Sequence, residues 1–399
     1  MHEQCLAVRQ DEALAYPQQV PYDAGTSYAE WPAMPVSSEK NAVYENLRAC
    51  FADLGLDAAH QGTPQWNPFS DFVIPGNTVV IKPNLVLDTN NPAIQECTTT
   101  HPSLLRVLVD YTWKALAGSG EIVVGDAPGA EANFEEIVRR SGLREMIEIL
   151  RQRGINVRLE DFRAVRVKTE NGVWTGEQTV AGTPTSQIVA LGRDSLFACE
   201  RYAHAKLHGA GYNIQETNRH HKGKRQEYSV SKTILQADVV ISVPKFKTHR
   251  KAGITCCLKN LVGINTDKNY LPHFAMGAAN MGGDETPGIE KKNVWRVRSY
   301  NWAREHIISH TWRFLGGPGA KMLRFLRGRE IEKPIQTAVQ PAGEKAPVPQ
   351  SNAPQAVSKD TDLAKWLHNK LSGQPVAAGA WAGNETICRM ILDLNHIFL

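Results

Sequence analysis

No window of the 399-residue chain comes near the roughly 18 to 20 uninterrupted apolar residues that a membrane-spanning helix needs, and its start, MHEQCLAVRQ, lacks the apolar core of a signal peptide. A cytoplasmic protein is the expectation. Cysteine is scarce and scattered. The seven (Cys5, Cys50, Cys97, Cys199, Cys256, Cys257, Cys388) contain no C-x-x-C pair, so the spacing of a zinc knuckle or an iron–sulfur loop is missing and free thiols in a reducing compartment fit best. An excess of one charge is lacking too, the formal net being +4. What is present, 42% hydrophobic and 22% charged residues, excludes a disordered tail or a fibre and suffices for one large core or two smaller ones.

The positive charge is concentrated. Residues 301–329 hold Arg304, Arg313, Lys321, Arg324, Arg327 and Arg329 against the single acid Glu305, and the rest of the chain is close to neutral. In the same stretch Trp302, Ile307, Ile308, Trp312, Phe314, Leu315, Met322, Leu323, Phe325 and Leu326 alternate with the cations around Gly316-Gly-Pro-Gly319, as in two amphipathic helices. Such a basic insertion is either a helical hairpin packed on the domain or a peripheral foot on the inner face of an anionic membrane. Nucleic-acid binding ranks lower, because no groove-reading motif accompanies this charge or the polar stretch at residues 219–225, read as a loop.

Residues 45–56 read as a short amphipathic helix ending near Gly55. Residues 77–81, after Pro75-Gly76, are β-branched throughout, as in a strand buried on both faces. A helix follows over residues 103–117, then a second buried strand at 121–125 and helical segments over 134–153. That alternation is the grammar of a parallel α/β sheet. Residues 156–191 suggest a β-rich excursion, and residues 237–243 a third buried strand stopped by Pro244. Ile254, Cys257, Leu258, Leu261 and Val262 fall at helical spacing, with Cys257 on the core side. The expectation is thus an α/β fold with an open, largely parallel sheet flanked by helices. Residues 1–335 form the core domain, with an insertion at about 270–335. Residues 336–360, rich in Pro, Ala and Gln, form a disordered linker. Residues 361–399 form a C-terminal helical segment returning to the core.

Three strands end in polar residues: Lys82 and Asn84 after the first, Asp126 after the second, Lys245, Lys247, Thr248 and His249 after the third. Any one alone is what a surfacing strand looks like. Three together point to one cleft at the carboxyl edge of a parallel sheet, where ligands bind. From Lys245 to Lys259 there are five cations (Lys245, Lys247, Arg250, Lys251, Lys259) and no acid, so phosphate or carboxylate is the natural ligand. His249 serves as proton carrier, metal ligand or plain hydrogen-bonding residue. Cys256 and Cys257 are small packing residues. Lys268 and His273, with Asp284 and Glu285, fit a divalent ion, a sugar phosphate or simple loop punctuation.

The runs ADVVISVPKFKTHRKAGITCCLKNLVGINTDKNYLPH, VVIKPNLV, TTTHPSLLRVLVDY, GEIVVGDAPG and GNETICRMILDLN together resemble the domain-of-unknown-function family numbered 362, in its branch found near polysaccharide or cell-envelope gene clusters. The resemblance spans residues from about 6 to 399. It implies motif positions at Lys82, Asn84, Thr100, His101, Asp126, Lys245, Lys247, Thr248, His249, Lys259, Asn260, Gly263 and Lys268. Some relatives carry a ferredoxin-type module, which this chain lacks, and family domains continue past the Leu-Asp-Leu-Asn helix, which implies a chain that stops short. The functional expectation is an enzyme acting on a small phosphorylated or carboxylated metabolite, sugar-derived and used in envelope or exopolysaccharide synthesis. Asp126 or His249 would move a proton. Lys82, Asn84, His101, Lys245, Lys247, Thr248, Lys259, Asn260 and Lys268 would hold substrate, and no residue is assigned to a metal. A non-catalytic anion-binding or assembly protein is the alternative, and an iron–sulfur-linked redox protein the third reading.

Overall fold

The β-branched runs pair side by side in one parallel sheet, because each carries apolar side chains on both faces and has to be covered on both. The computed structural model describes residues 6–10, 15–170, 173–180, 186–211, 213–289, 294–303 and 379–398. Helix α1 (Ala42–Asp53) precedes β1 (Thr78–Pro83), and α2 (Pro92–Thr98) and α3 (Pro102–Leu116) lead to β2 (Glu121–Asp126). Helices α4 (Phe134–Arg140) and α5 (Leu143–Gln152) lead to β3 (Val157–Asp161). The fourth strand of the sheet, β10 (Val239–Val243), comes much later and pairs with β1, giving the order β10-β1-β2-β3. Val79 lies beside Val239 and Ile122, and Ile81 beside Ile241 and Val124, all in parallel register. The carboxyl ends of β1, β2 and β10 therefore share one edge.

Strand alternation divides the core in two. Val79, Ile81, Ile122 and Val124 face a cluster with Tyr44, Phe51, Leu105, Tyr111, Met146 and Leu150 from α1, α3 and α5. Val80 and Val123, on the other face, pack with Phe162, Tyr228, Ile264 and the apolar stripe Ile387, Met390, Ile391 and Leu394 of the C-terminal helix. That helix is α11 (Thr386–His396). Asp284 holds its start, accepting from the Thr386 N–H at 2.8 Å and hydroxyl at 2.6 Å. Its far end is tied down by Asp393, which accepts from the Ser195 hydroxyl, the Leu196 N–H and the Tyr228 hydroxyl.

The β-rich excursion expected over residues 156–191 begins only after β3, which belongs to the parallel sheet instead. Strands β4 (Val165–Glu170) and β5 (Val173–Thr179) form a hairpin, and β6 (Ser186–Ala190), after which come α6 (Glu200–Ala203), β7 (Leu207–Gly209) and α7 (Ile214–His220), belongs to a three-stranded antiparallel sheet with β8 (His221–Lys222) and β9 (Arg225–Ser231). The loop expected at residues 219–225 is instead the end of α7, a two-residue strand and a turn at Gly223, whose φ is +60°. Three of its basic side chains are paired. His220 sits between Glu216 (2.9 Å) and Glu227 (2.6 Å), Arg219 pairs with Glu216, and Arg225 with Glu227. The acids lie just outside the basic stretch in sequence, which is why the stretch looked like an unpaired patch.

After α8 (Lys232–Leu235) and β10, the helix expected across residues 254–262 is mostly something else. Strands β11 (Lys247–His249) and β12 (Gly253–Thr255) form an antiparallel hairpin, then α9 (Cys257–Asn260) makes about one turn before a 3-10 segment at Leu261–Ile264. The turn is fixed by His249 Nδ1, which accepts the N–H groups of Lys251 (3.2 Å) and Ala252 (3.0 Å), and by Gly253 at φ +72°. Ile254 and Leu258 are exposed, and Cys257, expected on the core side, is exposed while Cys256 is half-buried. The helical spacing came from a hairpin followed by a single turn. Strand β13 (Pro272–Ala275) pairs with β7, and α10 (Val294–Ala303) buries Val297 against Ala278 and Ile289. The linker expected at 336–360, residues 361–378 of the expected C-terminal helical segment and nearly all of the basic segment at 301–329 lie outside the described residues. Among the described residues no helix is long and apolar enough to cross a membrane.

Candidate functional site

Lys82 and Asp126 meet at the carboxyl edge of the sheet. The Lys82 ammonium, 1% exposed, lies 2.7 Å from Asp126 Oδ1 and also donates to the Pro83 carbonyl at 2.7 Å and to Asn260 Oδ1 at 3.1 Å. Asp126 further accepts from the Leu85 N–H at 2.6 Å and the Ala127 N–H at 2.9 Å. Three donors occupy most of the acceptor sites of this carboxylate. Burial outweighs the carboxylate and lowers the Lys82 pKa. Asn260 donates to the Lys82 carbonyl at 2.9 Å and to the Ser242 hydroxyl at 3.0 Å, so α9 is pinned across β1 and β10.

Gly263 lies against this pair: a Cβ there would overlap Asp126 Oδ1 and stand 2.6 Å from Lys82 Nζ, and its carbonyl accepts the Ala127 N–H at 2.8 Å. Both ions are locked by other bonds, so neither can move aside cheaply. Gly263→Ala should cost about 1–3 kcal/mol by overpacking. Denaturant unfolding checks it, and an unchanged midpoint would show that the ion pair yields.

Strand alternation on β11 decides which motif residues enter the site. Lys247 and His249 are half-buried on one face, and Thr248, opposite Ile254 on β12, is exposed on the other. The structure therefore turns Thr248, one of the expected substrate-binding residues, away from Lys247 and His249. The Lys247 ammonium donates to the Thr98 carbonyl at the end of α2. Its pKa is pushed down to about 8 by burial and by Lys259, with Asp126 opposing. Lys259 falls to about 8 by burial and by Lys82. Lys251, whose ammonium lies 4.8 Å from the Phe274 ring centre, falls to about 8 chiefly by burial. Lys268 is buried deeper, donates to the Ala127 carbonyl at 2.8 Å and the Asn265 carbonyl at 3.4 Å, and is held at about 7 by burial.

The two motif histidines are donors on their open side. His249 Nδ1 already accepts two backbone N–H groups, so the neutral ring carries its proton on Nε2. Burial and the charges of Lys259, Lys251, Lys247 and Arg250 take its pKa down to about 3. His101 Nδ1 accepts the Ser103 N–H at 3.2 Å, capping α3, and burial with Lys245 brings it to about 4. Its ring stacks on Tyr16 at 4.1 Å, and the Tyr16 hydroxyl accepts from Lys245 at 3.1 Å. Tyr16 carries no sequence signal: it stands in a stretch without periodicity. Asn84 is buried at the end of β1, bridged to Thr100 through their backbones and the Thr100 hydroxyl, which in turn donates to the Val243 carbonyl.

Of the second cluster, Asp284 is spent on the Ala275 N–H and the start of α11, and Glu285 accepts the Gly277 N–H. Both brace loops. His273 donates from Nδ1 to the Leu271 carbonyl at 2.9 Å, and burial with Lys251, Lys259 and His249 drives its pKa well below the ordinary value. Among the described residues no three His, Cys, Asp or Glu side chains gather as a metal site would need.

Neither the curated proteins nor the solved structures hold a significant match to the chain. A family model described as a domain of unknown function, DUF362, matches residues 79–183 and 163–398, which takes in β1, β2, β10, the hairpin β11–β12 and α11. The lysines and histidines at the edge of the sheet are thus part of the matched region, and the chain belongs to the DUF362 family.

Proposed function

We propose that the chain is an enzyme acting on a small phosphorylated or carboxylated metabolite held at the carboxyl edge of the parallel sheet. One observation carries this reading: Lys247 and Lys259 lie against an ion pair whose carboxylate is already engaged, and the donor side of His249 lies among Lys247, Lys251 and Lys259. A site built of donors and surplus positive charge is complementary to an acceptor-rich anion. Lys247 and Lys259 would neutralise the anion, and His249 Nε2–H would donate to an oxygen on which negative charge develops, an electrostatic role and not that of a base. Asp126 would act as the counterion that sets Lys82. A phosphorylated or acidic sugar of envelope polysaccharide synthesis, handled in the cytoplasm, is the substrate class that the family resemblance implies.

Inorganic phosphate and small carboxylates should raise the melting temperature, and Lys247→Ala should weaken that binding by about 1.5–3 kcal/mol, the worth of a charge-assisted hydrogen bond, with little change in the unliganded melting temperature. Isothermal titration measures it. Lys245→Ala should lose less, because Lys245 stands beside Tyr16 whereas Lys247 interacts with Lys259 and Asp126. Equal losses of stability and binding in the Lys247 variant would mark it as structural. Phosphate binding with no turnover of any phosphorylated or carboxylated candidate would favour a binding protein.

A further inference from the structure

The lysines of the cluster are not equivalent. Lys82, Lys247 and Lys268 each donate to carbonyl or carboxylate oxygens, Lys245 donates to Tyr16, and Lys251 lies over Phe274. Among the described residues Lys259 Nζ makes no hydrogen bond and no ion pair, although its side chain is half-buried between the charges of Lys82 and Lys247. Its backbone is held firmly, since the next residue, Asn260, is bonded to both β1 and β10.

We propose that Lys259 is a nucleophilic amine which condenses with the carbonyl group of an anionic aldehyde or ketone, the anion being held by the cations around it. The proposal rests on the anion-site reading and names the substrate class within it. A lysine becomes a carbonyl reagent when its ammonium is disfavoured by desolvation and by a neighbouring cation. Both hold here, and a pKa near 8 leaves a working fraction of free amine near neutrality. In the reaction the Nζ lone pair attacks the carbonyl carbon, the oxygen takes up a proton and nitrogen gives one up. The carbinolamine then loses its hydroxyl and the remaining nitrogen proton as one water, leaving the imine. No oxidant or reductant is consumed. His249 Nε2–H is the neighbouring donor suited to the carbonyl oxygen.

The test uses glyoxylate as the anionic aldehyde, propanal as the uncharged one, and cyanoborohydride to trap the imine at pH 8 in the whole protein. Peptide mapping should place the glyoxylate adduct on Lys259, inorganic phosphate should suppress it, and propanal should label without that preference. Lys259→Arg, which keeps the charge and lacks the nucleophile, should lose the adduct and keep phosphate-induced thermal stabilisation. Mapping on the wild-type protein needs no variant and stands even if the arginine form folds poorly. Glyoxylate label spread over surface lysines and indifferent to phosphate overturns the proposal, as does an undiminished adduct in Lys259→Arg. If phosphate stabilises the protein while Lys259 stays unlabelled, the imine falls and the anion site remains. If phosphate neither stabilises the protein nor competes with labelling, the anion site falls as well.

Discussion

Lys82→Met should destabilise the protein by about 3–5 kcal/mol, the cost of stranding one member of a buried ion pair. Asp126 is 3% exposed and would keep only the N–H groups of Leu85 and Ala127, while Asn260 Oδ1 and the Pro83 carbonyl would lose their donor. Removing the charge from both partners, as in Lys82→Met with Asp126→Asn, should recover much of that loss, because the amide oxygen still accepts a backbone N–H and no uncompensated charge remains. Denaturant unfolding of the wild type, the two single variants and the double variant measures the coupling. A single variant within 1 kcal/mol of wild type would mean that water reaches the pair and that Asp126 is free for other work.

The sheet was legible because its strands are β-branched and bounded by Pro and Gly, so that hydrophobic content alone located β1, β2 and β10. From the rule that parallel strands share their carboxyl edge, Lys82, Asp126 and the lysines after β10 could be placed together before any coordinates. The fine structure after β10 was not legible. Strands of three residues carry no measurable period, and the turn at residues 250–253 depends on His249 accepting two backbone N–H groups, a bond that a residue-type pattern does not contain. Missing the hairpin, the sequence reading also missed that Thr248 and His249 face opposite ways.

The protonation states of the histidines were hidden for the same reason. His101 and His249 differ from His273 only in whether Nδ1 meets an N–H or a carbonyl, and that single contact decides which nitrogen is left to donate. For Asp284 and Glu285 the sequence left a divalent ion, a sugar phosphate and loop punctuation open, and the structure engages them with the backbone of residues 275–277 and the start of α11, distant in sequence.

Lys259→Met should make the unliganded protein more stable at pH 7, by about 1–2 kcal/mol, and at the same time lower its affinity for inorganic phosphate by about tenfold or more. The sign follows from proton linkage. In the folded chain Lys259 titrates at about 8, below its ordinary 10.5, so between those values the unfolded chain holds a proton that the folded chain has released. Stability therefore rises with pH from about 8 to 10.5, and below 8 the full cost of burying the charge is present. The methionine variant escapes that cost, so its advantage should be constant below pH 8 and shrink towards nothing by pH 10.5. Phosphate affinity of the wild type should move the other way, falling above pH 8 as Lys247, Lys251 and Lys259 lose their protons. Unfolding free energies and phosphate titrations over this pH range separate the cases: a variant that is less stable at pH 7 and binds phosphate as before would make Lys259 a packing residue, whereas gain of stability with loss of binding is what a charge kept for a ligand produces.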